Sequence, residues 1–172
     1  MGFYIQVNQV LTQTFTLLLI NLWPLWLLIL FIFVVKIVPT IFKLYKLTKA
    51  GLPEVDKMTG TEFEIFLEQL FIRLGYKVQL VGGMADYGAD LVLEKDGIRT
   101  VVQAKCWRNP VPVKAVQEIN TAKAHYDASE AMVITNSRFT QNAKILAKEN
   151  GVKVIDREIL ATLIITTPSD KN

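Results

Sequence analysis

The stretch that decides the fold is "DYGADLVLEKDGIRTVVQAKCW", Asp86 to Trp107. It contains two strand-like runs, "ADLVLE" and "RTVVQAK", on either side of "KDG", the signature of a tight hairpin turn. The hairpin sets the runs antiparallel and brings Asp90 to the level of Gln103 and Lys105. Side chains alternate along a strand, so Val102, Ala104 and Cys106 share one face. Val101, Gln103, Lys105 and Trp107 share the other. An amide and an ammonium two residues apart in an apolar run mark either a solvated sheet edge or groups aimed at a ligand.

Upstream, Thr61 is a candidate helix cap with Glu64 three residues on as its capping-box partner. In "EFEIFLEQLFIRLG", Phe63, Phe66, Leu67, Leu70, Phe71 and Leu74 form an apolar stripe at helical spacing, which Gly75 ends. The run "YKVQLV" follows and is separated from "ADLVLE" by the glycine-rich "GGMADYG". Downstream, the pattern predicts a helix from about Val113 to Asp127, a strand "AMVITN", a helix from about Thr140 to Glu149, a strand "VKVID" and a helix from Glu158. The order α-β-β-β-α-β-α-β-α predicts an α/β fold. One mixed sheet, antiparallel in its first half and parallel in its second, is flanked by helices.

The N-terminal part differs in character. Of the 172 residues 51% are hydrophobic and the mean hydropathy is +0.31, and the excess lies at one end. "LLLINLWPLWLLILFIFVV", Leu17 to Val35, has Asn21 as its only strongly polar side chain. As a helix it is about 28 Å long, near the thickness of a bilayer core, so the sequence predicts a single transmembrane helix ahead of the domain. Pro24 is expected to kink that helix or to sit in its first turns. Lys36, Lys43, Lys46 and Lys49 follow the span and no basic residue precedes it, which places the C-terminal part in the cytoplasm and suits anionic lipid. Residues 1–50 thus read as anchor and basic juxtamembrane segment, 51–58 as linker, 59–165 as the domain and 166–172 as a tail.

The formal charge of +3 misleads on its own. Beyond residue 50 stand 15 basic and 16 acidic residues, a net −1, so global charge gives no argument for a nucleic-acid partner. Cys106 is the single cysteine, which excludes an intrachain disulfide, and on the face opposite Gln103 it reads as a small buried residue. His125 is the single histidine and has no nearby Cys or His, which argues against zinc.

The chemistry concentrates at one strand end. A carboxylate and an amide oxygen are hard ligands that suit Mg²⁺, and a lysine beside them can orient or deprotonate a water and stabilise charge on a phosphate. At this point the chain resembles a family. "TEFEIFLEQLFIRLGYKV", "DYGADLVL", "VVQAKCW" and "AMVITNSRFTQNAKILAKENGVKVIDREIL" are similar, in order and spacing, to Mrr-like restriction endonucleases of the PD-(D/E)-x-K nuclease superfamily.

The resemblance implies a restriction-endonuclease-like fold and Mg²⁺-dependent hydrolysis of DNA, with Mn²⁺ able to substitute. Asp90 matches the metal-binding aspartate and Lys105 the catalytic lysine. Gln103 stands where most of the superfamily has Glu or Asp, and Gln is usual in the Mrr-like branch. Glu64 matches an acid of the first helix that reaches the metal through water, although its role as a cap residue stays open. Asp90, Gln103 and the Ala104 carbonyl are the expected ligands of one metal rather than two, because the amide removes a negative charge. Asp86 reads as a loop-turn residue and Gln117 as a DNA-contact candidate. The expected protein is thus a membrane-anchored DNA endonuclease at the bacterial inner membrane, acting in restriction of foreign or modified DNA. A DNA-binding tether without catalysis and a module for protein interaction are the alternatives, and a homodimer is left open.

Overall fold

The computed structural model describes the backbone of residues 2–48, 51–82 and 87–167. The chain divides into two units, Met1–Leu44 and Tyr45–Asn172. The first is built from α1 (Gly2–Asn21) and the larger part of α2 (Trp23–Thr48). Every described side chain of the two helices is exposed, Trp23, Trp26 and Phe31 included.

The expected single helix from Leu17 to Val35 is corrected here. Helical structure breaks at Leu22, whose carbonyl accepts from the N–H groups of Leu25 (3.0 Å) and Trp26 (3.2 Å) to start a new helix. Pro24 is the physical reason: it has no N–H to continue α1, yet in the first turn of α2 none is required. Among the described residues, no helix is long and apolar enough to cross a membrane.

The second unit opens with α3 (Leu52–Val55), whose Val55 is fully buried. Helix α4 (Gly60–Arg73) follows. Two T-x-x-E frames overlap before it, and the upstream one makes the cap: the Thr59 N–H donates to Glu62 Oε2 (2.8 Å) and the Glu62 N–H to Thr59 Oγ1 (3.3 Å). The expected Thr61–Glu64 box is thereby replaced. Starting two residues earlier adds capped backbone without turning the apolar stripe away from the sheet, since Phe63, Phe66, Leu67, Leu70 and Phe71 are all buried.

Strands β1 (Lys77–Leu80), β2 (Leu91–Lys95) and β3 (Ile98–Lys105) come next. Helix α5 (Val113–His125), β4 (Glu130–Thr135), α6 (Gln141–Glu149), β5 (Val152–Ile155) and α7 (Arg157–Thr166) complete the unit. The five strands lie in the order β1-β2-β3-β4-β5. The β1–β2 and β2–β3 pairs are antiparallel, and the β3–β4 and β4–β5 pairs are parallel, as the element order predicts.

Asp96 (φ 53°) and Gly97 (φ 77°) form the hairpin turn between β2 and β3. Positive φ at both central residues gives the turn whose twist matches the flanking strands. It fixes Lys95 opposite Ile98 and Leu91 opposite Val102. Strand β3 is central and covered on both faces. Val101 packs in one core layer with Val116 and Ile119 of α5 and Ala143 of α6. Val102 packs in the other with Phe66 and Leu70 of α4 and Leu160 of α7. The solvated-edge reading of Gln103 therefore fails, because that side chain is 2% exposed in a central strand.

One ion pair ties the ends of this unit together. Arg157 donates from NH1 (2.6 Å) and NH2 (2.8 Å) to the two oxygens of Asp56, and NH1 also donates to the Asn136 carbonyl (2.9 Å). The hydrogen bonds from Arg157 hold the Asp56 carboxyl below its ordinary value, against the opposing effect of burial. A lowered carboxyl value contributes stability above the unfolded-state value, and the contribution disappears as pH falls through the folded one. Asp56→Asn is therefore expected to lose about 1 kcal/mol or less at pH 7, the clamp being part-exposed, and to flatten the acid side of the stability profile. Denaturant titrations between pH 7 and pH 3 check this; parallel profiles for the two proteins would exclude the clamp.

Candidate active site

Asp90 is the residue just before β2, and its backbone still follows the ladder: its N–H donates to the Val102 carbonyl (2.8 Å). Its side chain then reaches across, and the Ala104 N–H donates to Asp90 Oδ2 (2.7 Å). One carboxylate oxygen is thus fixed by the neighbouring strand. The other, Oδ1, lies 3.9 Å from the point that a Cβ on Gly82 would occupy, and Glu64 Oε2 lies 3.5 Å from the same point. Glu64 from α4 and Asp90 from the start of β2 therefore come together over Gly82.

Gln103 points to the α5 side. Its Nε2 donates to Glu118 Oε2 (3.0 Å). A carboxylate only accepts, so it selects the amide's NH₂ and turns Oε1 the other way. That oxygen is buried and has no hydrogen-bond partner among the described residues. A buried carbonyl oxygen without a donor costs about 1–3 kcal/mol, a cost that a bound water or cation would offset. Gly88 makes the arrangement possible. At φ 86° it brings the loop so close that a Cβ there would meet Glu118 Cβ at 2.9 Å and Gln103 Nε2 at 3.2 Å.

Lys105 ends β3, half-buried, with Nζ 5.9 Å from the centre of the Trp107 ring. The segment after β4 fixes this strand end. Thr135 Oγ1 donates to the Lys105 carbonyl (2.7 Å), and the Trp107 N–H donates to Asn136 Oδ1 (2.8 Å). Thr135 and Asn136 are both buried, and Asn136 Nδ2 donates to Asp56 (3.1 Å).

The structure thus brings Asp90, Gln103 and Lys105 to one end of the sheet, with Glu64 beside Asp90. Ala104 joins through its amide. Asp86 lies outside the described residues. Gln117 lines a groove against Asn142 and Ile145 of α6, about 100° round the helix from Glu118. Glu118 is the site residue that sequence reasoning missed, and its signal was the next position along that helix. Cys106 donates to the Val55 (3.6 Å) and Met58 (3.3 Å) carbonyls, and burial pushes its thiol up. It is a packed, unreactive residue.

Among the described residues there is no cluster of three His, Cys, Asp or Glu side chains that could hold a metal. The donor set here is instead two carboxylates and an amide. The unpartnered Gln103 oxygen and the space over Gly82 fit a hard divalent cation with few protein ligands.

Glu118 also gives a physical reason for Gln at 103. A Glu there would set two carboxylate oxygens about 3 Å apart, and one would have to stay protonated. Gln103→Glu is expected to lower stability by roughly 1–3 kcal/mol. Adding Glu118→Gln, which restores a donor–acceptor pair, should recover most of the loss. Denaturation midpoints of the three proteins test this, and a double variant no better than the single would exclude the pairing.

Comparison with known proteins shows the family and the fold. A restriction endonuclease family model, Mrr_cat, matches residues 55–164, more than half of the chain. Over 118 residues the chain is 36% identical to the type IV methyl-directed restriction enzyme EcoKMrr of Escherichia coli K12, covering 63% of this chain and 39% of that protein. The chain spans about two fifths of the length of that curated relative. Among solved structures, the DNA modification-dependent restriction endonuclease AspBHI is similar in fold, with a TM-score of 0.53 at 21% identity. The match covers 66% of this chain and 34% of that one. From residue 55 to residue 164, through the sheet and the helices that carry Asp90, Gln103 and Lys105, the chain belongs to the Mrr_cat restriction endonuclease family.

Proposed function

We propose that the Tyr45–Asn172 unit is a divalent-metal-dependent DNA endonuclease that hydrolyses phosphodiester bonds, in restriction of foreign or modified DNA. The observation that carries the reading is the buried, unpartnered Gln103 Oε1 beside Asp90 and Lys105. Family membership and the similarity to the methyl-directed restriction enzyme EcoKMrr support DNA as the substrate.

In this reading Asp90, Gln103 Oε1 and the Ala104 carbonyl hold one Mg²⁺, for which Mn²⁺ can substitute. When bound, the cation supplies Lewis-acid polarisation of the phosphate. Glu118 fixes the amide so that its oxygen faces the ligand. Lys105 keeps a cation beside the phosphate and orients the attacking water. Glu64, next to Asp90, holds a water of the site. The water oxygen forms a bond to phosphorus as one ester P–O bond breaks. The water's proton goes to a neighbouring base, and the departing oxygen gains a proton from solvent.

The test is plasmid cleavage by the full chain in Mg²⁺ or Mn²⁺. Lys105→Ala and Asp90→Ala should each lower the rate at least hundredfold with the circular dichroism spectrum unchanged. Activity retained in both variants would sink the mechanism, and plasmid binding without cutting by the unmodified chain would favour the DNA-binding tether.

We also propose that the first unit associates with the lipid of a bacterial inner membrane, leaving the catalytic unit on the cytoplasmic side. The exposed apolar side chains of α1 and α2 and the lysines from Lys36 to Lys49 support this. The chain should sediment with vesicles of mixed neutral and anionic lipid. Recovery in the supernatant would contradict it.

A further inference from the structure

Beyond the sheet end that carries Lys105 lies a pocket of about 640 Å³, lined by Lys57, Trp107, Arg108, Ser137, Arg138 and Arg157 among others. We propose that it holds an unpaired nucleotide of the DNA strand leaving the catalytic groups, its phosphate on the arginines and its base against Trp107. This deepens the nuclease reading and rests on it.

Charge is the first argument. Four of the lining residues are cationic and one, Asp56, is anionic. The chain beyond residue 50 is nearly neutral, with 15 basic and 16 acidic residues. Positive charge is thus gathered into one hollow of an otherwise balanced unit, which focuses the field on an anion. Asp56 is paired with Arg157 and neutralises it, which leaves Lys57, Arg108 and Arg138 as the pocket's excess charge. Arg138 meets Glu158 only at 4.0 Å, and both side chains are largely in solvent.

Size is the second. The volume lies in the range of about 300–1,000 Å³ typical of sites for small organic ligands, and a lone phosphate would leave most of it empty. The third is the wall. Trp107 is half-exposed while its backbone is held by Asn136, so a rigidly mounted indole lines the hollow. Aromatic faces beside cations form the usual platform for an unstacked base.

Position is the fourth. Trp107 is two residues beyond Lys105, and its ring centre is 5.9 Å from Lys105 Nζ. A strand bound at the catalytic groups therefore continues directly into the pocket. Arg157 and Asn136 are assigned to holding the pocket together, and Lys57, Trp107, Arg108 and Arg138 to the ligand.

The experiment uses the full chain in detergent micelles with EDTA and a fluorescein-labelled (dT)12 single strand, read by anisotropy over a salt series. Trp107→Ala should weaken binding about fivefold or more, and Trp107→Phe should restore most of it. The Arg108→Ala/Arg138→Ala double variant should reduce the slope of log affinity against log salt by about 1.4, close to 0.7 for each lost phosphate contact. Unchanged affinity and slope in these variants, with plasmid cleavage intact, would overturn the pocket and leave the nuclease reading standing. No binding and no cleavage by the unmodified chain would overturn both. Thermal melting of each variant establishes that it is folded, and the Phe variant separates loss of stacking from loss of structure.

Discussion

The register of β2 against β3 is the constraint on which the site depends. Asp96 and Gly97 close the hairpin in one geometry, which sets Leu91 opposite Val102 and leaves Asp90 to reach the Ala104 amide. A slip of one residue would turn Gln103 to the α4 side and Val102 to the α5 side, because the side-chain period is two. Such a slip would place an amide in an apolar layer and valine opposite Glu118. Core packing and site assembly therefore select the same register, and the parallel pairing of β3 with β4 holds it from the other side.

Electrostatics then divides the labour among the acidic groups. Glu118 is committed to the Gln103 amide and, at 3.6 Å, to Lys114. One oxygen of Asp90 accepts from the Ala104 amide, and the other lies with Glu64 near Gly82. The neutral Gln103 contributes an oxygen without a charge. One end of the amide is hydrogen-bonded to Glu118, and the other is buried without a partner among the described residues. A carboxylate at 103 would have added repulsion at Glu118.

Much of this was legible in the sequence, for local reasons. The "KDG" turn, the two-residue alternation and the helical stripe from Phe63 to Leu74 gave the sheet, its mixed pairing and the convergence of Asp90, Gln103 and Lys105. What escaped depends on contacts distant along the chain. Glu118 is fifteen positions from Gln103, and its role needs the Gly88 approach to be seen in space. The cap at Thr59 lost out in reading because an equally good T-x-x-E frame begins at Thr61. Pro24 signalled the helix break at Leu22, while hydropathy alone ran through it and suggested one continuous span. The basic pocket joins Lys57, Arg108 and Arg138 from three separate segments, and a near-zero net charge conceals it.

Three layers of support build the strand end that carries Gln103 and Lys105: the hairpin, the Thr135–Asn136 segment and the Glu118 carboxylate. The central claim is that the Asp90 carboxylate and the buried Gln103 amide oxygen take part in holding one divalent cation. The most direct measurement is a Mn²⁺ titration of the full chain followed by electron paramagnetic resonance. The account predicts one Mn²⁺ per chain, lost in both Asp90→Ala and Gln103→Ala while each protein stays folded. Binding at undiminished stoichiometry in both variants would contradict it.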